Sequence, residues 1–187
     1  MRYSRFLPLL ALLLPACEPP SAPDDPVLEA RREGAAWTHA AGGGVFDAGV
    51  PVHFSFNAIG FGDGSATGKL KFTTELGGQA ISFHGRVTCL AVDPVNNRAW
   101  IGGVIVANTS THPSFTGAVH QVGKDIWFRA VDYGNGQSGT VDRTTFVGFE
   151  GSAGIITSEE YCQVQIWPNV PPDDRTGPLL NGNIVIN

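Results

Sequence analysis

The densest set of potential ligating side chains in the 187-residue chain is Asp132-Tyr133-Gly134-Asn135-Gly136-Gln137-Ser138-Gly139-Thr140-Val141-Asp142. Calcium takes about six to eight oxygens, which Asp132, Asn135, Asp142 and loop carbonyls would supply. The spacing fits neither an EF-hand nor a Gly-Asp repeat, and Asp and Asn also build turns by bonding their own backbone. The loop is therefore expected to be structural, with those three residues as the candidate metal ligands if it is not. The histidines at 39, 53, 84, 112 and 120 include no HExxH and no His-x-His pair. His53 and His84 fall on polar strand faces and would meet across a sheet, but zinc needs about three or four ligands with supporting partners. No metal and no cofactor is expected. Nor is there a GxSxG or SxxK context: Gly136-Gln137-Ser138-Gly139 is too short, and Ser152 lacks the spacing. Glu150, Glu159 and Glu160 would pair as glycosidase carboxylates, a pairing that any acidic chain offers. No catalytic residue is assigned.

Of the three cysteines, Cys17 ends an N-terminal stretch with a basic tip, Arg2 and Arg5, and an apolar run over residues 6–15. That run is roughly half the length of a membrane-spanning helix and holds two prolines, so it reads as an export signal. Leu14-Pro15-Ala16-Cys17 resembles the bacterial lipoprotein signal, with Leu three before and a small residue one before the Cys; Pro15 stands where a small residue is usual. The resemblance implies that residues 1–16 are removed and that Cys17 is lipidated, with enough acyl chain for stable anchoring. An ordinary cleaved signal is the alternative. The expected location is extracytoplasmic, on a bacterial membrane held through Cys17. Loss of Arg2 and Arg5 moves the formal charge from −5 to −7. Nucleic acid is not an expected partner, because no Lys or Arg run occurs beyond Arg31-Arg32. Cys89 and Cys162 remain as an even pair where oxidation is permitted, and a disulfide is expected. Two buried free thiols, or a reactive nucleophile, are the alternatives.

Residues 17–35 form a Pro-rich tether, since four of the nine residues 18–26 are proline. Residues 36–187 suffice for one domain with a single core. From Trp37 onward the pattern has period two, cleanest in Val52-His53-Phe54-Ser55-Phe56-Asn57-Ala58. An Asp63-Gly64 turn and Lys69-Leu70-Lys71-Phe72-Thr73 complete a hairpin. Further strands are expected at 80–84, 86–92, 99–107, 117–123, 126–133, 144–149, 162–167 and 183–186, with no helix of ordinary length. Trp100-Ile101-Gly102-Gly103-Val104-Ile105-Val106 is apolar on both faces and so should be covered on two sides. Its glycines imply a bulge or a close backbone approach. Trp100, Trp127, Phe128, Tyr133 and Trp167 are read as core, with a groove for sugars or acyl chains as the alternative. The fold expected is all-β, a single antiparallel β-sandwich or β-barrel of about ten short strands.

Four stretches carry a second resemblance: Phe54-x-Phe56-Asn57-Ala58, Asp63-Gly64-Ser65-Ala66-Thr67-Gly68, Phe83-His84-Gly85-Arg86-Val87-Thr88-Cys89-Leu90 and Asn97-Arg98-Ala99-Trp100-Ile101-Gly102-Gly103. They resemble a group of secreted bacterial all-β proteins with DGSxxG, GxVxCL and NRAxIGG patterns. The resemblance covers about half the chain, residues 52–142, and implies an all-β domain without implying a reaction, cofactor or ligand. The function expected is that of a lipid-anchored extracytoplasmic module acting by binding or structural association. A lipocalin-like carrier of a small apolar ligand is the alternative, and a small envelope hydrolase a third reading.

Overall fold

The computed structural model describes residues 37–134, 139–166 and 175–187. The signal, Cys17, the tether, Asn135, Ser138 and Trp167 lie outside the described residues. Among those described there are eight strands: β1 (Thr38–Asp47), β2 (Pro51–Gly60), β3 (Ala66–Leu76), β4 (Gln79–Asp93), β5 (Arg98–Asn108), β6 (Asp125–Val131), β7 (Arg143–Thr144) and β8 (Gly177–Ile186). Each pairs antiparallel with its neighbour in sequence and β8 returns to β1, so one sheet closes on itself in a ring. The closure is thinnest at β7, which pairs with β6 and β8 over two residues each and is helped by a single bridge from Trp127 to Gly148.

Several expected strands resolve differently. Segments 80–84 and 86–92 are one strand, β4, in which irregularities replace the break. Segment 117–123 instead carries a 3-10 turn, Ala118–His120, closed by Gln121 Nε2 donating to the carbonyls of Thr116 and Gly117. Segment 144–149 keeps only its first residue in β7. Segment 162–167 begins inside a helix, α1 (Ser158–Val164), the one α-helix among the described residues. Thr157 caps α1 by accepting from the Glu160 amide at 3.1 Å, while the Glu160 carboxylate accepts from the Ile156 amide at 2.8 Å. This exchange is close to a capping box.

The strict alternation of β2 places Val52, Phe54, Phe56 and Ala58 inside the ring and His53, Ser55 and Asn57 outside. The interior is filled by aromatic rings: Phe128 lies 5.0 Å from both Phe56 and Phe72, and Phe83 lies 4.9 Å from Phe149. A bulge between Val87 and Cys89 shifts the phase of β4. Val87 therefore belongs to the interior core, whereas Cys89 and Ala91 turn outward, as a bulge re-aims the side chains that follow it. On that outer side Trp100, Trp127, Ile155 and Tyr161 form a second, smaller core. Here α1 covers β5 and β6, which accounts for the two apolar faces of residues 100–106. Cys89 and Cys162 are bonded across this layer, with Cα atoms 6.2 Å apart. Gly102 lies beneath the bond, where a Cβ would come within 2.6 Å of Cys89 Sγ and 2.7 Å of the Ser158 Cβ. The paired glycines thus serve both a bulge and a close approach.

Candidate functional site

The side chains with candidate chemistry are largely engaged in holding the fold. Asp142 is buried; one carboxylate oxygen accepts from the Tyr133 amide at 2.9 Å and the other from the Ile184 amide at 2.8 Å. Asp132 likewise accepts from the amides of Gly134 at 2.7 Å and Ile186 at 3.1 Å. Both aspartates thereby fasten the 132–142 loop to β8. Ser152 accepts from the Phe149 amide, and Glu150 pairs with Lys124 at 3.6 Å. Glu160 serves the start of α1, and Glu159 accepts from the Thr88 hydroxyl. Ser158 donates through both its amide and its hydroxyl to Asp125, at 2.9 and 2.6 Å, tying α1 to the start of β6. Trp100, Trp127 and Phe128 are core, and Tyr133 is half-buried.

The ionisable groups with shifted equilibria are also structural. Burial raises the Tyr161 phenol, opposed in part by the charge of Arg129, and its ring stacks on Trp127 at 5.7 Å. Asp93 is held below the usual carboxylate range, first by the Asn96 side chain and then by the Asn96 and Val95 amides of the β4–β5 turn. Desolvation holds His120 below the ordinary imidazole value; its ring packs against Phe149 at 4.5 Å, and Nδ1 is buried without a partner among the described residues.

A different set of residues comes together on the outer face of β2, β3 and β4. Asn57 stands opposite Lys69, and Lys69 opposite Arg86; one rung along the strands, Ser55 stands opposite Lys71, and Lys71 opposite His84. All six are exposed and line an open groove of about 820 Å³. Gly68 shapes its floor: at φ +151 a Cβ would fall on the Asn57 carbonyl, so β3 approaches β2 there as only glycine permits. Opposed residues on neighbouring strands have Cβ atoms about 5 Å apart. Two cations about 7 Å apart repel by about 0.6 kcal/mol even at the dielectric constant of water. Lys69 is directly opposite Arg86 and two residues from Lys71 on the same face of β3, and no carboxylate among the described residues is paired with any of the three. The groove is thus an uncompensated basic patch on an acidic protein. His53 and His84 do not meet: His53 faces Thr73 and His84 faces Lys71, on strands separated by β3.

The patch was not visible as a charge run because its members are separated in sequence and meet only through strand register. The available signal was the outward phase of two adjoining strands, lysines at 69 and 71 and Arg86 two beyond His84. No protein-family model matches the chain, and neither curated proteins nor solved structures yield a match.

Proposed function

We propose that the chain is a lipid-anchored extracytoplasmic β-barrel module that binds an anionic partner on the outer groove of β2–β4, without catalysis. The observation that carries this reading is the cluster Lys69, Lys71 and Arg86, side by side and unpaired with acid. Lys69 and Arg86 stand directly opposite each other on β3 and β4, a placement that is destabilising for like charges, and an anionic ligand would remove that cost. Rings fill the place where a carrier would hold its cargo, which favours binding on the outside. The acids offered for hydrolysis are engaged by backbone amides, hydroxyls or Lys124. The signal ending at Cys17 and the Cys89–Cys162 bond support an exported, oxidising location.

The test uses full-length protein carrying Cys17→Ser, so that no lipid contributes, mixed with protein-stripped envelope fragments of the producing bacterium. The protein should sediment with the fragments at low salt and be released by added salt. A variant with Lys69, Lys71 and Arg86 all changed to Glu should stay in the supernatant while keeping its circular dichroism spectrum. Undiminished sedimentation of that folded variant would overturn the reading.

A further inference from the structure

The two rungs of the groove are built alike. Asn57, Lys69 and Arg86 form one; Ser55, Lys71 and His84 form the other. Each offers a neutral hydrogen-bonding group from β2, a lysine from β3 and a nitrogen donor from β4. Side chains two apart on a strand are separated by about 7 Å, which sets the repeat between the rungs. We infer that the groove takes a linear phosphodiester polymer of the polyol-phosphate kind, seating successive phosphates on successive rungs; this rests on the anion-binding reading above.

The repeat length admits the ligand. A glycerol phosphodiester unit has six backbone bonds, as do two peptide residues, and such a unit spans about 7 Å when extended. The donor chemistry agrees. Lysine binds phosphate as a point charge, whereas planar carboxylates are recognised best by an arginine fork. Only Arg86 offers that fork, and on one rung. A tetrahedral phosphate presents oxygens in several directions and so suits three donors arriving from three strands. Nucleic acid strands have similar phosphate spacing, but their binding sites supply rings on which bases stack. The outward-facing side chains of the two rungs include no ring other than His84.

The experiment measures binding of a synthetic glycerol-phosphate decamer, monomeric glycerol 3-phosphate and phosphatidylglycerol vesicles to the full chain carrying Cys17→Ser. The decamer should bind more than about tenfold tighter than the monomer at low salt, with an affinity that falls steeply as salt rises. Lys69→Gln and Lys71→Gln should each weaken the decamer about fivefold and reduce the salt slope by about one. Lys124→Gln, which removes a lysine paired with Glu150 away from the groove, should change neither. Equal affinity for decamer and monomer would overturn the inference. So would a loss in Lys124→Gln matching that in Lys69→Gln, or Lys69-dependent binding of vesicles but not of decamer. Loss of decamer binding while envelope sedimentation still depends on the basic cluster removes the polymer and leaves the anion-binding module; loss of both removes both.

Discussion

Asp142 shows how a residue that resembles a metal ligand in the sequence is claimed by the backbone. Its two oxygens hold amides from residues 133 and 184, which join the end of β6 to β8 beside the thin closure at β7. Hydrogen bonds to charged groups are worth about 1.5–3 kcal/mol, and leaving buried amides unpartnered adds a desolvation cost. Asp142→Ala is therefore expected to lower unfolding free energy by about 3 kcal/mol in urea denaturation. Asp132→Ala should cost less, about 1 kcal/mol, because Asp132 is half-buried and water can take over much of its two bonds in the variant. Chelator should leave the wild-type melting temperature unchanged. A drop of several degrees on chelation, reversed by calcium and absent in Asp132→Ala, would make the loop a metal site. Sequence made Asp132 and Asp142 conspicuous, but could not say that Ile184 and Ile186, more than forty residues away, would present amides to them.

Elements were legible where one face met water, and obscure where a second layer covered them. β2 and β3 alternate cleanly because only their inner faces are buried. Segment 162–167 reads as strand, yet its first residues end a short helix that Thr157 and Glu160 cap and that tertiary burial of Tyr161 and Cys162 completes. The disulfide fastens that helix over β4 and β5 and closes a loop of 73 residues. The chain-entropy model assigns such a loop about 4 kcal/mol, so the Cys89→Ala/Cys162→Ala pair should lower stability by about that amount. The basic rungs call for the opposite sign. Lys69→Gln removes repulsion from Lys71 and Arg86, and should raise stability by about 0.5 kcal/mol at low salt, with the gain fading as salt is added. No gain at low salt would mean that the cations are not in mutual opposition. His120 adds a pH dependence near the same end of the ring as Phe83, Phe115 and Phe149. Its folded-state pKa is depressed, so below about 6.5 the unfolded chain takes up a proton that the folded chain refuses. Stability should fall as pH drops through that value and level off below the folded pKa. His120→Leu should flatten this fall in urea midpoints measured between pH 7.5 and 5.5; an unchanged pH profile would exclude His120 as its source.

At the scale of the whole molecule, the basic groove of β2–β4 is bordered by acids: Glu75 lies further along β3, and Glu159 of α1 reaches Thr88 on β4. A net negative protein near an anionic envelope is repelled on average and attracted through one face, so an oriented encounter depends on both attachment and groove. The proposed lipid at Cys17 would keep the module at the surface, because more than one acyl chain anchors stably. These two contributions separate experimentally. Cys17→Ser should move the folded protein from the membrane fraction into the soluble extracytoplasmic fraction in high-salt lysis, where groove contacts are screened. The triple Glu variant with Cys17 intact should remain in the membrane fraction under the same conditions, since its lipid is untouched. Wild-type protein recovered mostly soluble, with an unmodified N-terminus, would remove the anchor. The groove would then have to supply retention alone, and the salt at which wild-type protein leaves the envelope should match that of Cys17→Ser.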